Sequence, residues 1–232
     1  MLIVGLTGGI SCGKSTVSNI LKLNGAAVVD LDEIARRVVQ PGRPAFKKIV
    51  AAFSEEVLLP DGTINREMLG AKIFADRALR RQLNSFTHLP IMAELLLDVA
   101  KARAAGASIV VLDAPLLFET SLHMICACTV VVHVKELTQL SRLCARDGLS
   151  KAEAEQRIAS QMPLASKAAR ADYLIDNDGA REATSAEIET VLARLDTRAG
   201  QWTLMDLVRA ALLSPVLHFV ALLWGKYDRP PL

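Results

Sequence analysis

Nine consecutive residues near the N-terminus, Gly8-Gly9-Ile10-Ser11-Cys12-Gly13-Lys14-Ser15-Thr16, constrain this chain more than any other stretch. They satisfy the spacing G-x-x-x-x-G-K-[ST], with the apolar run Leu2-Ile3-Val4-Gly5-Leu6 ahead of them and a helical pattern behind. A backbone can turn tightly enough for successive N–H groups to converge only where glycine removes the side-chain clash. Those N–H groups then meet phosphate oxygens at a helix N-terminus. In that setting Lys14 neutralises the β and γ phosphates of a nucleotide, and Ser15 sets its hydroxyl on a Mg²⁺ ion that bridges them. ATP and Mg²⁺ are therefore the predicted ligands, with Gly8 through Thr16 as the binding segment. The dinucleotide pattern Gly-x-Gly-x-x-Gly is absent, as is the guanine-reading Asn-Lys-x-Asp.

The rest of the chain reads as an α/β fold around that loop. Short, β-branched apolar runs at Leu2 to Leu6, Ala26 to Val29, Ser108 to Leu112, Thr129 to Val134 and Tyr173 to Ile175 alternate with helical stretches. Runs that are apolar on both faces are strands of a parallel sheet covered by helices. Residues 30–107 exceed what one crossover helix needs, which implies an inserted helical subdomain. Within it, Phe46, Ile49, Val50 and Phe53 recur at helical spacing, and Pro90 predicts a break or kink near His88. Ser150 with Glu153, and Thr184 with Glu187, match capping boxes and predict helix starts.

Charge and cysteine usage narrow the partners. A net charge of +2 without a basic cluster gives no nucleic-acid footprint, so an anionic ligand must be met by a local site. The four cysteines lack the spacing of a zinc site or a secreted disulfide framework, and no secretory signal is evident, so an intracellular location, cytoplasmic or organellar, is expected. Cys126 and Cys128 read as buried packing at a strand entrance.

Further segments stand in an ordered set: Val4 to Ile10 into the loop, Val29-Asp30-Leu31-Asp32-Glu33-Ile34-Ala35-Arg36, Asp61 to Arg66, Leu83-Asn84 with Thr87-His88, Asp113 to Glu119, Gln139 to Gly148, and Ala171 to Asn177. With them the chain resembles the dephospho-coenzyme A kinase family up to about Arg194. The resemblance implies transfer of the ATP γ-phosphoryl group to the ribose 3′-hydroxyl of dephospho-coenzyme A, on a P-loop core with a helical acceptor domain and a mobile lid; the alternatives are another P-loop nucleoside or metabolite kinase, or a catalytically degenerate nucleotide-binding scaffold. The implied division is 1–32, 107–136 and 171–198 for the core, 33–106 for the acceptor subdomain, 137–170 for the lid and 199–232 for an apolar tail. Ser11 stands where the family usually has glycine, and Leu89 separates His88 from Pro90, which the family usually joins.

On that resemblance Asp32 matches the second acid of an Asp-x-Asp pair and is the candidate base for the acceptor hydroxyl, with a helix N-cap as the alternative. Asp30 is either structural or a ligand to metal-bound water. Arg36 and His88 are implied on the acceptor side. Asp113 ends the third strand, where such proteins hold an acid that supports Mg²⁺ through water. Pro115, Leu116 and Phe118 are an acceptor-pocket wall or ordinary core edge. Arg142 and Arg146 share one helix face and either close on the phosphates from a lid or form a solvated face. Asn177 lines an adenine pocket or makes a simple turn.

The segment from Ala210 to Trp224 carries no formal charge. It is short of the roughly 20 apolar residues that a spanning helix needs. Trp224 and Tyr227 beside Lys226 suit an interfacial boundary, so membrane-surface association through this tail is expected, with a packed C-terminal helix as the alternative. Nothing in the sequence fixes the oligomeric state.

Overall fold

The computed structural model describes residues 1–200, the Ala75 side chain excepted. Five strands form one sheet: β1 (Leu2–Gly8), β2 (Ala27–Asp30), β3 (Ile109–Asp113), β4 (Cys128–His133) and β5 (Tyr173–Asp176), in the order β2-β3-β1-β4-β5. β1 runs parallel to both β3 and β4, and β4 parallel to β5. Every residue of β1 and β3 is buried, as the continuous apolar runs require of strands covered on both faces. At the edge, β5 buries Ile175 and exposes Leu174.

The chain forms two compact units, Asp30–Lys101 and the sheet-bearing remainder, Met1–Val29 with the residues from Ala102 onward. In the sheet unit, α1 (Lys14–Leu23) and α9 (Arg181–Ala199) pack together, and α9 also lies against β1, β3 and β5. Leu6, Val17, Leu21, Val111, Val130, Ile188 and Leu195 are central to this core. Between β4 and β5, α6 (Glu136–Asp147) packs on α7 (Lys151–Ala159), and α8 (Leu164–Ala168) lies against β4. The capping box predicted at Ser150 starts α7: its hydroxyl accepts from the Glu153 N–H, and Glu153 accepts from the Ser150 N–H.

The second predicted box is not a helix start. α9 begins at Arg181, and Thr184 lies buried inside it. Its hydroxyl donates to the Asp176 carbonyl (3.1 Å), while Glu187 Oε2 accepts the Asp176 N–H (2.7 Å). The same pair of groups thus satisfies the end of β5 instead of the helix's own amides.

The other unit holds α2 (Leu31–Arg37), α3 (Pro44–Phe53), α4 (Arg66–Ala75) and all but the last turn of α5 (Arg77–Ala104). Its core is Ile49, Phe53, Val57, Ile64 and Leu69, with Phe46, Leu83 and Phe86 packed against it. Asp61 tightens the turn before α4 by accepting the N–H (2.9 Å) and hydroxyl (2.6 Å) of Thr63, and Asn65 caps α4 through the Met68 N–H (3.0 Å). The break predicted near His88 does not occur: α5 is helical through Pro90. Proline removes one donor, but long helical stretches on either side hold the register, since adding a turn to an existing helix is far easier than starting one. Arg37 and Glu94, Arg37 and Asp98, and Arg43 and Glu94 (3.0 Å) pair across this unit.

Cys12 and Cys128 are free and buried, and burial pushes both thiols up to about 11. An unfolded thiol ionises near its ordinary value of 9.0, so above that pH the unfolded chain sheds protons that the fold retains. Stability should therefore fall as pH rises from 9 toward 11, by at most about 1.4 kcal/mol per pH unit per thiol. Urea midpoints across this range should drop less steeply in Cys128→Ala. Equal slopes would contradict a buried, protonated Cys128.

Of the predicted tail, 199–232, all but Ala199 and Gly200 lies outside the described residues. No helix among the described residues is long and apolar enough to cross a membrane.

Candidate active site

The loop leaves the sheet at Gly8 and enters α1 at Lys14, with Gly13 as N-cap in the left-handed conformation (φ 84°). Ser11 is also left-handed (φ 59°), and its hydroxyl is buried with no hydrogen-bond partner among the described residues. Alternating handedness of this kind turns backbone N–H groups into an anion-binding concavity. Cys12 is fully buried under the loop, where the Arg142 charge is close enough to oppose, in part, the effect of burial on its thiol.

Lys14 Nζ is paired with Asp113 Oδ1, from the carboxyl end of β3. Asp113 is 4% exposed, so its carboxylate needs a cation beside it. Were Lys14 drawn away from Asp113, another cation would have to take its place. Ser15, in the first turn of α1, adds an exposed hydroxyl. A carboxylate and a hydroxyl are oxygen donors of the kind that suit Mg²⁺, which keeps water and substrate phosphate as its other ligands. No group of three or more His, Cys, Asp or Glu able to hold a metal occurs among the described residues.

Four side chains missed by the sequence reading grip the loop or its neighbour. Gln139 of α6, 3% exposed, donates to the Ile10 carbonyl (2.9 Å), and Gln161 Oε1 accepts the Ile10 N–H (3.1 Å). Lys167 of α8, wholly buried, donates to the Pro115 carbonyl (2.6 Å) and, at longer range, to the Gly8 carbonyl (3.4 Å). Glu119 pairs with its ammonium at 2.9 Å. A lysine amid Ala165-Ser166 and Ala168-Ala169, a glutamine on the polar helix α6 and another in the connection between α7 and α8 carry no local signal of these contacts.

The remaining predicted residues separate into groups. Asn177 donates to the Cys12 carbonyl (2.8 Å) and accepts from the Thr184 hydroxyl (3.2 Å), so both ends of its amide face the protein. Phe118 is buried, with Arg170 over its ring (4.6 Å to the centroid) and His123 tilted against it, whereas Leu116 is 44% exposed. The Pro115 carbonyl also accepts the Thr7 hydroxyl (3.0 Å). Arg146 is held by Asp147 (2.7 Å), which also pairs with Arg157 (3.0 Å). In the other unit, Asp30 is the cap of α2, accepting from the N–H groups of Asp32 (2.8 Å) and Glu33 (3.1 Å). The capping alternative for Asp32 therefore passes to Asp30. Asp32 lies exposed in the first turn of α2, Arg36 is exposed farther along it, and His88 is half-buried on α5.

The family model described as dephospho-CoA kinase matches residues 2–183. The chain belongs to the dephospho-CoA kinase family. A family relative from Shouchella clausii is 48% identical over 191 residues, covering 82% of this chain and 97% of that one. One from Arabidopsis thaliana is 45% identical, covering 84% of each. Among solved structures, dephospho-CoA kinase from Campylobacter jejuni aligns with TM-score 0.64 at 28% identity over 83% of this chain and 96% of its own. TT1252 from Thermus thermophilus aligns with TM-score 0.72 at 30% identity over 84% and 97%. In this dephospho-CoA kinase family member, the matched span takes in the loop, Asp113 and the whole Asp30–Lys101 unit.

Proposed function

We propose that this chain transfers the ATP γ-phosphoryl group to the ribose 3′-hydroxyl of dephospho-coenzyme A, giving coenzyme A and ADP. The observation that carries this function is the family match over residues 2–183, a span that takes in the glycine-rich loop and the whole Asp30–Lys101 unit. Lys14 and the loop amides hold the β and γ phosphates. Ser15 and Asp113 would hold Mg²⁺, which would supply charge neutralisation to the nucleotide phosphates. Asp32 accepts the proton of the 3′-hydroxyl as its oxygen forms the new bond to the γ-phosphorus. The bond from that phosphorus to the β-bridging oxygen breaks, and ADP leaves with the electron pair. Arg142, close to Cys12, stabilises the transferring charge. Arg146 does so only after releasing Asp147.

The core, acceptor subdomain and lid serve as the three working parts, with Arg36, His88, Pro115 and Leu116 on the acceptor side and Asn177 beneath the nucleotide loop. Incubating the purified chain with ATP, Mg²⁺ and a panel of hydroxyl acceptors should phosphorylate dephospho-coenzyme A far faster than adenosine or other metabolites, with the phosphate on the 3′ oxygen by mass spectrometry. Equal rates across the panel would overturn the assignment.

Membrane-surface association rests on the composition of residues 201–232 alone. Full-length protein should fractionate with membranes and a chain ending at Gly200 should not; identical partitioning would remove that role from the tail.

A further inference from the structure

Five successive peptide units of the loop each have their orientation fixed by a hydrogen bond. The carbonyls of Gly8, Ile10 and Cys12 are taken by Lys167 (3.4 Å), Gln139 (2.9 Å) and Asn177 (2.8 Å). The peptides between them are set by their N–H groups: Ile10 donates to Gln161 (3.1 Å), and Cys12 donates to the Gly9 carbonyl (3.2 Å). A trans peptide points its carbonyl and the following N–H in opposite directions. Holding the carbonyls of Gly8, Ile10 and Cys12 against the protein therefore turns the N–H groups of Gly9, Ser11 and Gly13 the other way.

We propose that Gln139, Asn177 and Lys167 are positioning residues for phosphoryl transfer, acting by aiming the Gly9, Ser11 and Gly13 amides at the polyphosphate of the bound nucleotide. This rests on the kinase function proposed above and extends it to residues that touch no substrate. Preorganised donors of this kind need no rearrangement when charge arrives, which is what makes them effective.

The loop glycines bear the same imprint. A Cβ on Gly9 would stand 2.5 Å from Gln139 Nε2, and one on Gly13 would stand 2.0 Å from Asn177 Nδ2. Both glycines are thus needed to admit the clamping amides from behind, apart from any close approach of phosphate in front. Gln139 also lies one helical turn before Arg142 on α6, so the helix that fixes the Ile10 peptide also carries the arginine whose charge acts on Cys12.

Affinities of the full-length chain for ADP and for AMP, measured by calorimetry, test the clamp without any acceptor. Gln139→Leu keeps the volume and loses the donor. ADP affinity should fall about ten- to hundredfold, the scale of a lost charge-assisted hydrogen bond, while AMP, which lacks the β phosphate, stays within about twofold. Asn177→Ser, too short to reach Cys12, should show the same split and carries the test if Gln139→Leu does not fold. In folded variants, equal losses for both nucleotides, or no loss, would overturn the proposal. Gly9→Ala displaces Gln139, so the Gly9→Ala/Gln139→Leu double variant should bind ADP no worse than the weaker single variant. Multiplied losses would show that Gly9 acts independently of the clamp and overturn it. Failure of dephospho-coenzyme A as acceptor leaves these affinities readable, whereas a folded wild-type chain that binds no ADP overturns both proposals.

Discussion

Replacing Lys14 with alanine should lower kcat by about 10²- to 10³-fold, the usual loss when one preorganised donor to developing charge is removed. The fold should survive, because Lys14 pairs with Asp113 and is no part of the apolar core. Stability should nonetheless fall by roughly 3 kcal/mol, since Asp113 keeps a buried carboxylate with its partner gone. The two effects separate in the double variant Lys14→Ala/Asp113→Asn: neutralising the carboxylate should recover most of the melting temperature and none of the turnover. Wild-type turnover in folded Lys14→Ala would remove the loop from the mechanism. An unchanged melting temperature would mean that the Lys14–Asp113 pair does not matter to the fold.

Asp32→Asn should depress turnover by about 10²-fold or more, the scale of a lost general base. ADP affinity should be unaltered. The structure adds a control, because Asp30 caps α2 and Asp32 does not. Asp30→Ala should therefore cost about 1 kcal/mol of stability through the lost cap, a loss that Asp32→Asn does not share because it removes no cap. A stability loss without an activity loss in Asp32→Asn would return Asp32 to a structural role. Near wild-type activity would move the base to another group.

The contrast between those two aspartates shows which parts of the molecule can be read from sequence. Two acids separated by a single residue offer the same chemistry on paper. Only the extended backbone at Asp30 (φ −85°, ψ 114°) turns its carboxylate onto the helix amides. The loop itself was legible because its chemistry is contiguous: glycines, lysine and serine fall within one turn and one helix start. The central strands β1, β3 and β4 were legible because burial on both faces leaves no polar alternation to confuse them. The supports behind the loop were not, since Gln139, Gln161, Lys167 and Asn177 reach it from over a hundred residues away and satisfy backbone groups that no local pattern reveals. Thr184 and Glu187 misled for a related reason. Hydroxyl and carboxylate suit a helix start, yet here β5 ends within reach and takes both. At Pro90 local propensity lost to the helix on either side of it.

The central claim, that the loop and the Asp30–Lys101 unit serve one phosphoryl transfer to dephospho-coenzyme A, is tested most directly by coupled ADP release from the purified full-length chain. With ATP and Mg²⁺ alone, release should be near background. Adding dephospho-coenzyme A should raise it by orders of magnitude, with one ADP formed for each coenzyme A. Release that is the same with and without dephospho-coenzyme A, from a chain that binds ATP, would contradict the account.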